Sequence, residues 1–310
     1  MMTSPYMGDN DRRDMLRLVR ENPRGQVHVV DLPYRLSSWA FDVPDTVGLW
    51  RDVYGELIAW AVLQTPFWTL DYALANFAPP GTLDEILGWA DAQAMTLMDS
   101  PYGRDCWFAA VPAERGESRR TFENHGYVDQ STVEDPWSQV TLELGTGLEF
   151  PTSPVKRGFI LRPLDGEAEV EAYVGLHRNV FGTPNMTTGW RRKVLQHPDY
   201  LPDLDLVIES LSGELVAFCI GWIAELPGIY GDGPSIFGQI EPIGVREDYR
   251  RYGLAWAILA EVIRRLRDLG AGTILVQTDN FRDRAFHFYN AAGFNVVNRI
   301  AIYRKDIRTV

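Results

Sequence analysis

The chain has 310 residues, of which 45% are hydrophobic and 12% aromatic, so two packed domains are expected and a disordered chain is excluded. A net charge of -12 argues against a nucleic-acid partner, and two cysteines and five scattered histidines argue against a disulfide framework or a bound metal. No apolar run reaches membrane-spanning length and no apolar leader stands at the N-terminus, so we expect a cytoplasmic protein with no membrane partner.

The first half of the sequence alternates between helical and strand patterns. In chain order, the patterns predict a helix over 11–21, strands over 26–30, 49–53, 57–63 and 68–73, a helix over 83–98, a strand over 106–111, a short helix over 119–124 and a strand over 140–144. The polar segment 145–157, rich in Gly, Pro and Thr, predicts a linker. We therefore expect one domain over 1–150 and another over 158–310.

The pattern restarts after this linker. It predicts a strand over 159–161, helices over 167–181 and 189–195, strands over 204–209, 214–224 and 240–245, a long helix from 254 to 269, a strand over 273–278, a helix over 284–291 and a strand over 296–303. The two halves also share letters, since GELIA at 55–59 matches GELVA at 213–217, and FENHGY at 122–127 matches YNAAGF at 289–294. These matches indicate an internal duplication at the scale of a domain.

The stretch 239–255, QIEPIGVREDYRRYGLA, passes from a strand through a charged turn into the long helix. The first amides of a helix lack partners within the helix and, with its dipole, attract phosphate. Gly253 has no side chain to keep a phosphate away from the backbone, and Arg250 and Arg251 add positive charge. The stretch therefore predicts a pyrophosphate site.

This turn resembles motif A of the GNAT acetyltransferase superfamily, Val-x-x-x-x-Arg/Gln-x-x-Gly-x-Gly/Ala, at Val245, Arg250, Gly253 and Ala255. The segment 279–294 resembles motif B, and the layout is similar to that of mycothiol synthase, another tandem GNAT protein. The resemblance implies an α+β fold of two tandem GNAT-like domains, each a mixed, mostly antiparallel sheet flanked by helices. It also implies acetyl-CoA as co-substrate, bound by Ile243, Gly244, Val245, Arg250, Arg251, Tyr252, Gly253, Leu254, Ala255, Asn280 and Phe286.

Two residues are candidates for the proton transfers that amide formation needs. By resemblance, Tyr289 is the acid that protonates the leaving thiolate, and the aligned Phe122 of the first half has no proton to give; the alternative is that Tyr289 is a packed aromatic. Glu241 is the candidate base, because a carboxylate on an apolar strand costs desolvation unless it is used or paired. A structural pair with an arginine is the alternative for Glu241. Gln239, where mycothiol synthase has an acidic residue, cannot act as a base.

Other polar residues near these motifs allow two interpretations. The arginines either contact the 3′-phosphate of CoA or form a solvated face, and Asn280 either contacts the CoA arm or caps the next helix. The arginines in question are Arg246, Arg264, Arg265 and Arg267. In the first half, the segment aligned with motif A, 75–83, lacks an arginine or glutamine before its glycine and contains two prolines, which have no amide donor. We therefore expect the first domain to be degenerate and without acetyl-CoA.

The function that these observations imply is acetyl-CoA-dependent N-acetylation of a small amine by direct attack in a ternary complex, by a monomer or homodimer. Two alternatives stay open: a non-catalytic module that binds CoA or senses a small molecule, and an acetyltransferase for protein amines. Candidates for the wall around the acceptor, on segments that the family uses for acceptor binding, are Phe181, Met186, Trp190 and Tyr230.

Overall fold

The computed structural model describes residues 2–146, 150, 153–227, 233–280 and 284–307. In this part of the chain, thirteen strands form one sheet, in the order β1-β2-β3-β4-β5-β13-β7-β12-β11-β10-β9-β8, with β6 paired to β13. The strands are β1 (Met2–Ser4), β2 (Val47–Arg51), β3 (Leu57–Gln64), β4 (Thr69–Leu74), β5 (Cys106–Pro112), β6 (Val128–Asp129), β7 (Ser138–Leu144), β8 (Phe159–Pro163), β9 (Asp205–Ser210), β10 (Leu215–Leu226), β11 (Ser235–Val245), β12 (Thr273–Asp279) and β13 (Asn295–Asp306).

Helices flank this sheet, and the expected α+β fold class is confirmed. They are α1 (Asp9–Glu21), α2 (Leu32–Leu36), α3 (Thr82–Leu97), α4 (Gly116–Asn124), α5 (Val170–Phe181), α6 (Thr188–Gln196), α7 (Leu254–Asp268) and α8 (Arg284–Ala291). Most pairs of neighbouring strands are antiparallel; β4 with β5 and β11 with β12 are the parallel pairs in the described residues.

The strand predicted over 26–30 is wrong, because this segment is a loop that leads into α2. Its run of β-branched residues favours a strand, but its apolar residues pack into a core cluster instead of pairing in the sheet. Val30 is fully buried in a core cluster formed mainly by the second half, and Val29 packs against the same cluster. Tertiary packing therefore overrides local strand propensity here.

The two halves exchange strands. The first half's β7 lies between β12 and β13 of the second half. In return, the C-terminal part of β13 pairs with β5 on one side and β6 on the other, both from the first half. Each half of the sheet thus contains a strand of the other. The sequence boundaries of the two domains stay a prediction.

The helix ends of the two halves support the duplication in detail. The amide of Tyr127 donates to the Phe122 carbonyl oxygen at 3.0 Å, and the amide of Phe294 donates to that of Tyr289 at 3.0 Å. The glycine before each donor, at 126 and 293, has a φ of 81° or 87°, the left-handed region that ends helices. The two segments with matching letters therefore fold in the same way.

The parallel strands β11 and β12 diverge after three paired positions. Their pairing covers Phe237–Gln239 against Thr273–Leu275, although β11 continues to Val245 and β12 to Asp279. On its other side, β11 advances three residues, from Ile240 to Ile243, where β10 advances two. A bulge with one extra residue therefore falls at Glu241 and Pro242, and it changes which way the following side chains point.

Candidate active site

The N-terminus of α7 has the geometry of an anion site. Gly253, the residue before the helix, has φ 79°, and a Cβ built on it would meet no atom within 4 Å. The first amide in the helical ladder is that of Ala257, which donates to the Gly253 carbonyl oxygen at 3.1 Å. The amides of 254–256 therefore precede the ladder, as the first amides of a helix do. The residues present fit a diphosphate group.

The corresponding helix of the first half begins with the same backbone geometry and different chemistry. Gly81 precedes α3 with φ 86°, yet the amide and hydroxyl of Thr82 both donate to the Pro79 carbonyl oxygen. Asp84 and Glu85 lie in the first turn of α3, whereas α7 has no acidic residue in its first turn. Two carboxylates beside a helix N-terminus repel a phosphate, so the contrast between the halves is electrostatic.

An open groove of about 650 Å³ adjoins this corner. The residues that line it come from the end of α5 and from the turn before α7: Asn179, Val180, Phe181, Gly182, Arg246, Glu247, Asp248 and Arg250. Next to the groove, Gly244 of β11 lies so close to α5 that an added Cβ would meet Val180 Cγ1 at 2.5 Å and Phe218 Cζ at 2.7 Å. Ile243 and Val245, the other strand residues predicted to bind the coenzyme, flank Gly244 and are half-buried.

The arginines of α7 have partners within the protein. Arg264 and Arg265 both donate to Glu261, and Arg267 donates to the carbonyl oxygens of Leu144, Gly145, Ala271 and Gly272. Arg246 forms a bidentate pair with Asp248. Arg250 has a weaker contact of 3.4 Å with Glu247 and is 44% exposed at its side chain. Of these five cations, Arg250 is the most weakly engaged at the groove, and Arg267 fastens α7 to the segment after β7.

A cavity of about 330 Å³ lies on the other side of the bulge in β11. The second half contributes Glu241, Gln277 and Ile302, and the first half contributes most of the wall: Val19, Gly25, Gln26, Val27, His28, Asp31, Leu32, Tyr34, Arg35, Trp60, Phe67, Thr69, Leu70, Asp71, Tyr72, Phe108, Ala109, Ala110, Trp137 and Gln139. The first-half strands β4 and β5 pair only at Thr69 and Phe108, so the cavity occupies the gap between them.

Glu241 is the carboxylate that the second half contributes to the lining of this cavity. Its carbonyl oxygen accepts a hydrogen bond from Trp222 Nε1 at 2.7 Å, which fixes the bulge. The pKa of Glu241 is raised to about 8, first by burial and then by the negative charge of Asp31, while the positive charge of Arg35 opposes the shift. The side chain retains some accessible surface because it faces the cavity. A buried carboxyl with a pKa near neutrality is poised to accept and release a proton.

The first half supplies charged residues that the sequence interpretation missed. Arg35 forms a bidentate pair with Asp71, with N–O distances of 2.6 and 2.7 Å, and its guanidinium lies 4.1 Å from the centre of the Phe67 ring. His28 Nδ1 lies 2.9 Å from Asp31 Oδ2. The signal that could have found Asp71 is the one used for Glu241, a carboxylate on an otherwise apolar strand. The pair of Glu241 with an arginine is not among the ion pairs of the described residues.

The predicted acid, Tyr289, lies on α8 and is 5% exposed. Its ring packs against Phe288 and Phe294, with ring centres 5.4 and 5.7 Å away. Phe286, on the same helix, is partly buried against the second-half core. The amide of Asn280 donates to the Ser138 carbonyl oxygen at 2.9 Å, so Asn280 continues the pairing of β12 with β7.

The predicted acceptor-wall residues that the structure describes do not all line one of the cavities described above. Phe181 is 48% exposed and lines the groove beside Arg250, and Tyr230 lies outside the described residues. Met186 and Trp190 are fully buried and are not among the described residues that line the cavity. Trp190 supports the wall from behind, because its ring packs on Tyr34 and its Nε1 donates to the Tyr34 carbonyl oxygen at 3.2 Å.

The match to a family model covers residues 172–294, and the model describes the acetyltransferase (GNAT) family. The second half of the chain is a GNAT domain. The matched segment includes β11, the turn at Gly253, α7 and α8, which carry both candidate sites of the second half. Because this family consists of acetyltransferases, acetyl transfer is the general activity that the match supports. No curated protein matches the sequence significantly.

Solved structures show that the tandem GNAT fold extends over the whole chain. A tandem GNAT protein from the clavulanic acid biosynthesis pathway, solved without AcCoA, matches with a TM-score of 0.65 at 12% identity, covering 100% of this chain and 99% of its own. A GCN5-related N-acetyltransferase from Sphaerobacter thermophilus matches with a TM-score of 0.64 at 19% identity, covering 99% and 96%. Saccharomyces cerevisiae N-myristoyltransferase with bound myristoyl-CoA matches with a TM-score of 0.64 at 12% identity, covering 98% and 78%.

Membrane-spanning helices and metal-binding clusters are both absent from the described residues. None of their helices combines the length and the apolar composition that crossing a membrane requires. Their histidine, cysteine, aspartate and glutamate side chains form no group of three or more that is arranged to hold a metal ion.

Proposed function

We propose that the protein is an N-acetyltransferase that transfers the acetyl group of acetyl-CoA to a small amine by direct attack in a ternary complex. The observation that carries this proposal is the course of β11. The strand places the Glu241 carboxyl, with a pKa of about 8, at a cavity and then leads into a helix N-terminus suited to a diphosphate. One strand thus connects a candidate base for the amine with a candidate site for the coenzyme. The gap beside this strand leaves room for the coenzyme arm.

In this proposal, acetyl-CoA supplies the activated acyl group and the protein supplies position and proton transfer. The amides of 254–256, with Arg250 and Arg251, hold the diphosphate, and Ile243 to Val245 with Asn280 and Phe286 border the arm. Tyr252, Leu254 and Ala255 complete the turn. This assignment is favoured by the open space at Gly253 and by the absence of acidic residues from the first turn of α7.

Glu241 acts as the base that takes a proton from the ammonium of the acceptor. A pKa of about 8 leaves a useful fraction ionised near neutrality and makes the carboxylate a stronger base than an exposed one. Tyr289 gives a proton to the departing thiolate. Its counterpart Phe122 packs in the same way without a hydroxyl, so packing alone does not require the hydroxyl of Tyr289.

Direct attack is favoured over an acyl-enzyme because neither cysteine suits a nucleophile. Cys106 and Cys219 are buried, at 6% and 0% exposure, and burial raises the pKa of both thiols. A buried thiol with a raised pKa supplies little thiolate. The expectations of a cytoplasmic protein that works as a monomer or homodimer remain part of this proposal.

Thiol release from acetyl-CoA across a panel of amines tests the proposal. We expect turnover by the unaltered protein, a decrease in kcat of about a hundred- to ten-thousandfold for Glu241→Gln, and a decrease in kcat for Tyr289→Phe at unchanged affinity for acetyl-CoA. Tyr127→Phe is the matched control, because Tyr127 is an equally buried tyrosine of the first half. Binding of acetyl-CoA without turnover of any amine would instead favour a CoA-binding or sensing module.

A further inference from the structure

Asp31 has an unfilled position for a hydrogen-bond donor. It is 2% exposed, and its Oδ2 lies 2.9 Å from His28 Nδ1. Its Oδ1 is buried and has no hydrogen-bond partner among the residues that the structure describes. A carboxylate accepts several hydrogen bonds, and a buried carboxylate oxygen that has no donor destabilises the folded protein. Asp31 lines the same cavity as Glu241, so a molecule bound there is the available source of the missing donor.

The charges around this cavity favour a cation and disfavour an anion. Three described lining residues carry carboxyl groups, Asp31, Asp71 and Glu241, and two carry basic groups, Arg35 and His28. Arg35 is committed to Asp71 through two short hydrogen bonds, and His28 contacts Asp31. Both basic groups of the described wall thus already contact a carboxylate of the protein. A carboxylate there would lose its hydration without compensation.

The two remaining carboxyl groups act on one another. Asp31 and Glu241 line the same cavity, and the negative charge of Asp31 contributes to the raised pKa of Glu241. They come from opposite halves of the protein, Asp31 from the loop before α2 and Glu241 from the bulge in β11. Aromatic rings of Trp60, Phe67 and Trp137 line the cavity around them. A short apolar chain with a donor at each end matches this arrangement.

We propose that Asp31 binds a second hydrogen-bond donor of the acceptor, so that the protein acetylates small amines that also carry an ammonium or hydroxyl group and lack a carboxylate. This inference rests on the proposed function and adds the class of acceptor. The amine to be acetylated lies at Glu241, and its second polar group lies at Asp31. The acceptor thereby occupies the gap between β4 and β5, which in the second half corresponds to the gap between β11 and β12. The first half has kept the gap as an acceptor site after losing the features that suit a phosphate.

Four amines of similar chain length separate the possible sources of recognition. Putrescine offers a second ammonium, aminobutanol a hydroxyl, pentylamine neither, and γ-aminobutyrate a carboxylate. For the unaltered protein, we expect kcat/KM for putrescine or aminobutanol to exceed that for pentylamine by about ten- to hundredfold, the value of a hydrogen bond to a charged group. We expect γ-aminobutyrate to be the poorest of the four. The inference is overturned if kcat/KM for pentylamine equals that for putrescine and aminobutanol, or if kcat/KM for γ-aminobutyrate exceeds that for the other amines.

Asp31→Asn tests the residue itself. It keeps the shape of the side chain, and we expect it to remove the preference for putrescine and aminobutanol over pentylamine. Because it also removes a charge that raises the pKa of Glu241, the preference is measured as a ratio of kcat/KM values within each protein. Asp45→Asn is the matched control, because Asp45 is an exposed aspartate of the first half whose left-handed backbone also suits asparagine. A preference that survives Asp31→Asn overturns the assignment. Thermal unfolding of both variants identifies any loss that comes from misfolding.

Calorimetric titration separates failure of this inference from failure of the proposed function. If acetyl-CoA binds and no amine is turned over, the proposed transfer fails, and direct titration with putrescine and γ-aminobutyrate then decides the inference. Binding of putrescine that Asp31→Asn weakens at least tenfold, with no binding of γ-aminobutyrate, supports it. Absence of putrescine binding to the unaltered protein overturns it.

Discussion

Glu241→Gln is expected to change how the stability of the protein depends on pH. The pKa of Glu241 is raised from 4.5 to about 8 in the folded state, first by burial and then by the charge of Asp31. The folded state therefore binds this proton more tightly than the unfolded state does. The stability associated with the protonated group is fully present below pH 4.5 and is lost as the pH rises through about 8.

The magnitude follows from the size of the shift. At 1.36 kcal/mol per pKa unit, a shift of about 3.5 units corresponds to about 5 kcal/mol, of which about 4 kcal/mol falls between about pH 5 and pH 9. This is an upper limit, because the side chain faces a cavity that water enters. Glutamine has no proton to lose, so Glu241→Gln should gain stability relative to the unaltered protein as the pH rises.

Urea unfolding at a series of pH values measures this difference. Glu225→Gln is the control, because Glu225 lies on the neighbouring strand β10 and is exposed. We expect the free energies of unfolding of Glu241→Gln and of the unaltered protein to diverge by up to about 4 kcal/mol between about pH 5 and pH 9, while Glu225→Gln follows the unaltered protein. Parallel curves for all three proteins would refute the assignment of a raised pKa to Glu241. In the same range, kcat/KM should rise with pH, reach half of its maximum near pH 8 and level off above about pH 9, as expected for a base with this pKa.

Three further substitutions test the two ends of the site. Gly253→Ala should raise the dissociation constant of acetyl-CoA at least tenfold in a direct titration. Gly213→Ala, at the same φ of 79°, should lower only the stability, by roughly 1 kcal/mol, which is the cost of an alanine in the left-handed region. Equal affinities for acetyl-CoA in these two variants would count against the diphosphate site. Gly244→Ala should lower stability by about 1 to 3 kcal/mol in urea unfolding, because its Cβ would overlap α5, and an unchanged midpoint would contradict that packing. Asp71→Asn should cost about 3 to 5 kcal/mol in the same assay by leaving the buried Arg35 unpaired, and a loss under 1 kcal/mol would show that the pair is not needed.

The sequence by itself determined most of the elements and, through its resemblance to the GNAT superfamily, the fold class; it also predicted the turn at Gly253 as a site for the coenzyme. These features depend on neighbouring residues, because the signals for a helix start lie in consecutive positions. Gly253, Arg250 and the apolar stripe of α7 therefore predict a phosphate-type turn without knowledge of how the remaining chain folds. The duplication was also readable, because FENHGY and YNAAGF repeat the same helix end. Glu241 was readable because a carboxylate interrupts an apolar strand.

Only the tertiary structure decided what surrounds Glu241. The segment 26–30 was predicted as a strand, but Val30 and the following Tyr34 pack into the core formed mainly by the second half. This docking brings Asp31 and Arg35 to a cavity formed by both halves. The exchange of β7 and β13 was equally hidden, since strand partners are chosen by long-range pairing. Met186 and Trp190, which the sequence predicts at the acceptor, are both fully buried, and Trp190 packs on Tyr34 of the cavity wall. Sequence periodicity indicates which side chains are buried, but the neighbour against which each is buried depends on how distant segments meet.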